Sequence, residues 1–491
     1  MDSKHLVGRD SKREESQIEA LATLPPELEE EIGKLDKDFW VSKEKLKEIS
    51  ERFGEELAEG LEENGKNIPM NITWVLGFPT GRENGSFLTL DLGGTNLRVC
   101  WITLKDSKRG DLDVKQHQYK LPSELKTGEA EALWNYIAEF LEKFITDLDL
   151  KGTKDDPLPL GFTFSYPATQ DYIDHGILQT WTKGFDIKGV EGEDAAQQLR
   201  DAMAKKNLPI RLVALINDTT GAMIASAYHD PSTIIGAIFG TGCNAAYMED
   251  CGSIPKVAKT AGITPDTPMA INCEYGAFDN AHRVLPLTKY DTAIDAESPR
   301  PGEQAFEKMS AGLYLGEIFR QVLVDVHSRG LIFKHQDVSK LKQPYILDTG
   351  FLSAIEDDES EKLSKTGDAF KETLNIAPTE PELEFIRRLA ELIAVRGARL
   401  CVCGVAAICR KKRLSSGHVA ADGSVANKHP KFKKRWAGAM AEILEWPEDR
   451  EEDPIVLTSA EDGSGVGAAV IVAMTLERAK RGKMVGIKEQ G

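Results

Sequence analysis

Apolar positions along the chain change period several times, and each change marks an element. Residues 1–25 are polar and without period, which predicts a mobile tail, with order beginning at Pro25-Pro26. Beyond Ser42, a residue suited to cap a helix, Leu46, Ile49, Phe53 and Leu57 recur three or four apart with Lys and Glu between them. That spacing predicts an amphipathic helix that stops at Asn64-Gly65. β-rich and helical runs then alternate: Phe87–Leu92, Leu97–Leu104, His117–Leu121, a helix over Ala130–Asp147, and Leu158–Phe164. A second series restarts at Arg211–Ile216 and passes through a helix to strands over Ile234–Phe239 and Ala245–Met248. Long helices are expected over Gln304–Ile332 and Pro381–Arg399. Two such series predict two α/β domains facing each other across a cleft, a weak internal symmetry. The acidic run Glu356-Asp-Asp-Glu-Ser-Glu361 lacks ligand spacing and reads as a solvated loop.

Each series holds one glycine-rich turn, Gly93-Gly94-Thr95 after the first strand and Gly240-Thr241-Gly242 after its counterpart. Such turns let bare backbone N–H groups approach an anion. The residues after each turn are rich in β-formers, so both segments read as hairpins rather than strand-to-helix phosphate loops. The near match to a Walker A loop, Gly60-Leu-Glu-Glu-Asn-Gly-Lys-Asn67, has Asn67 where Mg²⁺ needs a hydroxyl, and no strand precedes it. Gly240-x-Gly242-x-x-Ala245 formally fits a dinucleotide fingerprint, but the segment after it is too short and strand-like to open that helix. Either hairpin alone is equally an ordinary tight turn; the pair together could grip a polyphosphate from two sides.

At 491 residues with 41% hydrophobic and 29% charged positions, the chain has the make-up of a two-domain globular enzyme. Its formal charge of −18 gives an average field that repels nucleic acid and anionic membranes. An anionic ligand must therefore be drawn in by local donors. Seven cysteines in mostly apolar settings read as reduced, buried thiols, and their spacing fits no zinc site. Met1–Glu15 has no apolar core of a secretory signal, and no uninterrupted run of 18 apolar residues occurs, so a cytoplasmic location is expected.

Arg211-Leu-Val-Ala-Leu-Ile-Asn-Asp218 reads as a buried strand ending in a carboxylate, which is where α/β folds put ligands. Asp218 is then either a general base or merely the cap of the next helix, and from this segment both readings stand. Asn244 and Glu274 carry the same ambiguity at further strand ends. Ser165, Thr182 and Lys183 add two hydroxyls and an ammonium, which together suit a polyhydroxyl ligand.

On these motifs the chain closely resembles the hexokinase family, and within it the hexokinases of fungi. The resemblance runs from Asn67-Ile-Pro-Met-Asn-Ile-Thr-Trp74 to Gly463-Ser-Gly-Val-Gly467. It is carried by Leu92-Gly-Gly-Thr-Asn-Leu-Arg98, Gly161-Phe-Thr-Phe-Ser-Tyr-Pro167, Trp181-Thr-Lys-Gly-Phe185, Leu215-Ile-Asn-Asp-Thr219, Phe239-Gly-Thr-Gly242, Ile271-Asn-Cys-Glu-Tyr-Gly276 and Arg300-Pro-Gly-Glu-Gln-Ala-Phe-Glu-Lys308. It implies an α/β fold of two actin-like ATPase (ribonuclease H-like) domains, small and large, and ATP-dependent transfer to the 6-hydroxyl of a hexose. Position by position, it makes Asp218 the general base and Lys183 a stabiliser of charge on the transferred group. Ser165, Thr182, Lys183, Asn217, Asn244, Glu274 and Glu307 become sugar ligands. Nucleotide contacts fall on Asp91, Gly93, Gly94, Thr95, Asn96 and Arg98, on Gly240, Thr241 and Gly242, on Asp422, Gly423 and Ser424, and on Gly463, Ser464 and Gly465. Mg²⁺ is expected to arrive on the ATP phosphates, with no protein metal site.

The same resemblance divides the chain into a tail over 1–25, a helical segment over 26–76 packing on the large domain, a small domain over 77–217 completed by about 459–476, a large domain over 218–458, and a C-terminal tail over 477–491. A monomer or weak homodimer is expected, without nucleic-acid or membrane partners. A glucose-restricted glucokinase and a hexokinase-like sugar-sensing regulator remain as alternatives. Cys243, Ala245 and Ala426 depart from the commonest fungal residues in these motifs, which bears on fine specificity. Cys243 and Cys273 flank site residues, and their position makes thiol oxidation a candidate route to inactivation.

Overall fold

The computed structural model describes residues 24–93, 96–182, 185–429, 431–460 and 463–488. Nearly all of the expected 1–25 tail lies outside them, as do Gly94, Thr95 and Lys183. Helix α1 (Pro26–Phe39) opens on a proline, whose fixed φ suits a first turn, and buries Leu28, Ile32, Leu35 and Phe39. Helix α2 (Lys43–Glu62) is capped by Ser42, which accepts from the Lys45 N–H at 3.2 Å. Leu46, Ile49, Phe53 and Leu57 lie along its inner face fully buried, as their spacing predicts.

The first α/β series runs β1 (Asn71–Leu76), β2 (Gly85–Leu92), β3 (Asn96–Lys105), β4 (Asp111–Lys120), α3 (Ala130–Asp147) and β5 (Leu158–Phe164). A short ribbon of β6 (Ala168–Thr169) and β7 (Ile177–Leu178), α4 (Ala195–Lys205) and β8 (Ile210–Ile216) complete it. Helix α5 (Asp218–His229) leads to the second series: β9 (Thr233–Phe239), β10 (Cys243–Asp250) and β11 (Pro268–Asn272). Next come helices α6 (Lys289–Glu297), α7 (Ala305–Ser310), α8 (Gly312–Ser328), α9 (Thr349–Glu356), α10 (Ser364–Leu374) and α11 (Glu380–Lys412). The chain ends through β12 (Gly417–Asp422), α12 (Ser424–Lys428), α13 (Phe432–Leu444), β13 (Ile455–Ser459) and α14 (Gly463–Lys480).

Among the described residues the strands sort into a five-stranded sheet, β4-β3-β2-β5-β8, and a six-stranded sheet, β1-β11-β10-β9-β12-β13. Leaving out the edge strand β1, the two sheets have one plan. An antiparallel meander, β2-β3-β4 or β9-β10-β11, is extended from its first strand by two parallel strands, β5 and β8 or β12 and β13. β1 is covalently part of the N-terminal segment yet pairs with β11, tying that segment into the larger sheet.

Apolar side chains of β2, β3, β5, α3 and α4 form the core of the smaller lobe. A larger core joins α2, the six-stranded sheet, α11 and α14, and a third lies among α1, α8, α9, α10 and the first half of α11. Helix α11 is the one described helix long and apolar enough to cross a membrane by composition, and 94% of its most apolar stretch is buried inside the fold. It is a core helix. The lobes meet where α5 crosses α14: a Cβ on Gly467 would stand 2.1 Å from the Gly221 carbonyl oxygen, so only glycine admits this approach.

Three elements differ from expectation. The helix expected over Gln304–Ile332 breaks at Ala311, which is extended, because the Gly312 N–H donates instead to the Gly240 carbonyl at 2.7 Å. The acidic run is not wholly solvated: Glu356 closes α9 and is buried among His429 and Arg435, and Asp358 accepts from Thr366. The stretch expected as a C-terminal tail from 477 is ordered through the described residues. α14 continues to Lys480, the Gly486 carbonyl accepts from the Ile173 N–H at 2.9 Å, and Val485 and Ile487 pack on the main core.

Candidate functional site

Strand register sets the site. β2 pairs with β5 so that Leu92 faces Phe164, and β5 pairs with β8 so that Thr163 faces Ile216. Just past these pairs, Gly93, Ser165 and Asp218 stand side by side at the C-terminal edges of three adjacent parallel strands. Neighbouring strands are about 4.8 Å apart, so the glycine turn and the Asp218 carboxylate are separated by roughly 10 Å, with Ser165 between them. This is the edge where α/β sheets hold ligands. Tyr166 comes next: burial, and then the charges of Asp218 and Asp91, push its phenol far above the usual range, so the ring reports both carboxylates.

Asn217 and Asp218 share the start of α5. Asn217, at the N-cap of α5, accepts from the Thr219 N–H at 2.8 Å and does the capping. Asp218 occupies the first turn, where its Oδ1 also meets the Thr219 N–H at 2.8 Å, and its carboxylate is half-exposed.

Opposite Asp218, buried amides converge on one carboxylate. Glu274 follows β11 in a left-handed conformation, φ 56° and ψ 47°, which aims its side chain back along the sheet. Its Oε1 accepts from Asn217 Nδ2 at 3.2 Å, Asn244 Nδ2 at 3.2 Å and Asn272 Nδ2 at 2.8 Å. The Glu274 N–H in turn donates to Asn244 Oδ1 at 2.8 Å, and Asn244 Nδ2 donates to Thr219 Oγ1 at 3.0 Å. Glu307, on α7, accepts from the Cys243 N–H at 3.1 Å, and a Cβ on Gly242 would lie 2.7 Å from its Oε2. Gly242 thus opens room for a carboxylate beside Asn244. The expected residues Asn217, Asn244, Glu274 and Glu307 therefore come together, and Ser165 is buried just past the end of β5. Thr182 lies in the loop after buried Trp181 and is half-buried, while Lys183 lies outside the described residues.

Both glycine segments are hairpins, as expected. In the first, the Gly93 N–H bonds the Asn96 carbonyl at 3.1 Å; Gly94 and Thr95 lie outside the described residues. Asp91 anchors its base, accepting from Ser464 Oγ at 2.6 Å and Arg98 Nη2 at 3.3 Å. Ser464 sits in the first turn of α14, so this expected nucleotide residue reaches the hairpin, while Gly463 packs against α5. In the second hairpin the Gly240 N–H bonds the Gly242 carbonyl at 3.0 Å, and Gly240 abuts Gly423. Asp422, at the end of β12, accepts from the Gly423 N–H at 2.6 Å, and Ser424 opens α12.

Two family models, both described as Hexokinase, match residues 31–228 and 234–474. A hexokinase of Emericella nidulans is 57% identical over 99% of this chain and 98% of its own length. The chain belongs to the hexokinase family. Hexokinase-1 of Saccharomyces cerevisiae is 51% identical over 97% of this chain and 98% of its own length. Among solved structures, hexokinase from Schistosoma mansoni complexed with glucose is 34% identical, with a TM-score of 0.82 over 91% of this chain and 99% of that one. The fold is the two-lobed, actin-like ATPase fold of the hexokinases.

Sequence reasoning missed Asn272 and Thr219, which hold other site residues rather than standing out themselves. The signal was present for Asn272, a polar residue closing the otherwise apolar run Met269-Ala-Ile-Asn272. It also missed Arg300, whose Nη2 lies 3.2 Å from Glu191 Oε1 and whose Nη1 bonds Thr180, linking the loop before Glu307 to the loop before Thr182. Nothing in the local pattern of either loop signals that pairing.

Proposed function

We propose that this hexokinase performs its reaction, ATP-dependent phosphorylation of a hexose at the 6-hydroxyl, with Asp218 as the general base. The row of Gly93, Ser165 and Asp218, joined through Asn217 to the amide-held Glu274, is the observation that carries this reading. Phosphoryl transfer asks little covalent chemistry of a protein, so alignment, charge stabilisation and exclusion of water do most of the work. Ser165, Thr182, Lys183, Asn217, Asn244, Glu274 and Glu307 hold the sugar hydroxyls, leaving the 6-hydroxyl to give its proton to Asp218 as it attacks the terminal phosphate in line. Asp91, Gly93, Gly94, Thr95, Asn96 and Arg98 hold the phosphates from one lobe, and Gly240, Thr241 and Gly242 from the other. Asp422, Gly423, Ser424, Gly463, Ser464 and Gly465 border the nucleoside. Lys183, assigned on its family motif, steadies the transferred group.

Mg²⁺ enters on the ATP phosphates in this reading. No group of three or more His, Cys, Asp or Glu gathers among the described residues to cage an ion, and Mg²⁺ prefers phosphate oxygens and water. Asp91 and Asp218 are the carboxylates at hand, and the ion would supply charge neutralisation between the phosphates. We further propose a sugar range of glucose, fructose and mannose, a cytoplasmic monomer or weak homodimer without nucleic-acid or membrane partners, and the division into a small domain over 77–217, completed by about 459–476, and a large one over 218–458. The sheet memberships of β2–β8 and β9–β13 support that division.

Purified enzyme with ATP is expected to phosphorylate both glucose and fructose. In Glu274→Ala the KM for both should rise roughly 10- to 100-fold, the loss of a charge-assisted hydrogen bond, with the KM for ATP little changed. Turnover of glucose alone would make the chain a glucokinase, and an unchanged sugar KM in the variant would overturn the ligand assignment.

A further inference from the structure

Asn272 ends β11 with its side chain buried, and both ends of its amide are engaged by proposed sugar ligands. Its Nδ2 donates to Glu274 Oε1 at 2.8 Å, and its Oδ1 accepts from Asn244 Nδ2 at 2.7 Å. Turning the amide over would set oxygen against carboxylate and NH₂ against NH₂, so the network admits one orientation. Asn244 is locked in the same sense, because its Oδ1 accepts the N–H groups of Ala245 at 2.7 Å and Glu274 at 2.8 Å.

We propose that Asn272 is a positioning residue for sugar recognition, an amide that fixes Glu274 and Asn244 relative to each other before the sugar arrives. This rests on the reading of Glu274 as a sugar ligand. The consequence for Glu274 is chemical as well as geometric. Three amide donors converge on Oε1 and fix the orientation of the carboxyl group. An acceptor held in one orientation selects hydroxyl donors and disfavours sugars lacking one there.

Asn272→Asp tests this, because it preserves shape and replaces the donating NH₂ with an oxygen. When that new carboxyl is protonated it can donate to Glu274 Oε1 as the amide did; when it ionises, two negative oxygens face each other and one of the pair must move or hold a proton. The other titratable groups around this segment are Asp218 on α5, next to the Glu274-bound Asn217, Glu307 and Cys243 on one side, and Glu249, Lys411 and Cys273 on the other. The sugar KM of the variant should lie near the wild-type value at about pH 6 and rise roughly 10-fold or more by about pH 8.5, with the wild-type KM flat and the ATP KM unaffected. A variant whose sugar KM is pH-independent and within about twofold of wild type would overturn the proposal. So would a uniform fall in kcat and thermal stability without a change in sugar KM, the signature of a purely structural residue. Glu274→Ala separates the two readings. If its sugar KM rises while Asn272→Asp behaves as wild type, only the role of Asn272 fails; if its KM is unchanged, the ligand assignment itself fails.

Discussion

Glu274 occupies a left-handed backbone conformation that costs a side-chain-bearing residue about 1–2 kcal/mol, and the bond from its N–H to Asn244 together with three amides on Oε1 offsets it. Glu274 was legible in the sequence as a strand-end carboxylate, whereas Glu307 could be named only through its motif; the conformation and donors of Glu274 come from β10, β11 and α5, which no local pattern brings together. Asp218 was legible as a strand-end carboxylate; that Asn217 is the N-cap and shares its Thr219 N–H with Asp218 was not. The cysteines illustrate the opposite failure. Adjacency to Asn244 and Glu274 marks Cys243 and Cys273 as oxidation candidates, yet both are buried, and burial, reinforced by the charges of Glu307 and Glu274, pushes their thiols well above the usual range. Thiolate is the reactive form, so burial works against the oxidation that their position suggests. Iodoacetamide at neutral pH should leave phosphorylation intact over a time that consumes a small exposed thiol, whereas rapid inactivation blocked by glucose would show that they are reached.

At the scale of elements, helical spacing located α2 and α3, which bury one face, and continuous apolar runs located strands such as β5 and β8, which are buried on both; these signals failed where an element is held by a distant partner. The break between α7 and α8 depends on the Gly240 carbonyl, and the burial of Glu356 depends on α13 and the segment before it. Glu356 joins α9 to that region through His429 Nε2 at 3.0 Å and Arg435 Nη2 at 2.6 Å. Burial alone would raise its carboxyl, but the bond from His429 and the charge and bonds of Arg435 outweigh this and hold it below the usual carboxylate range. A depressed folded value means that the stabilisation is fully present above the ordinary value of about 4.3 and is lost as pH falls through the lower folded one. Glu356→Gln should therefore lose about 3 kcal/mol in urea denaturation at neutral pH, and the deficit should shrink on acidification through that window. A deficit that does not change with pH would show that the charge is not what holds α9 in place.

For the molecule as a whole, two strand series with one glycine hairpin each announced two α/β domains, and the sheets prove to share one plan. Beyond the expectation that they face each other across a cleft, how they meet was not legible, because it turns on the close crossing of α5 and α14 and on contacts between distant loops. Water is smaller than a sugar and could attack ATP in an open site, so drawing the lobes together on sugar is the expected specificity step. Small-angle scattering should show a smaller radius with saturating glucose, and an unchanged radius would count against closure. Arg300 Nη2 lies 3.2 Å from Glu191 Oε1, so this pair is a candidate to respond to such a motion. Both side chains are substantially exposed, so Arg300→Ala should raise the glucose KM no more than roughly fivefold, an effect that high salt reproduces in wild type. The most direct measurement of the chemistry compares glucose phosphorylation by wild type and Asp218→Ala, alongside glucose binding followed by intrinsic fluorescence. A general base aligned with the transferred phosphate in this way requires turnover to fall by roughly 10²- to 10⁴-fold or more while the variant still folds and binds glucose. Near-normal turnover in that variant would contradict the assignment of Asp218 as the base.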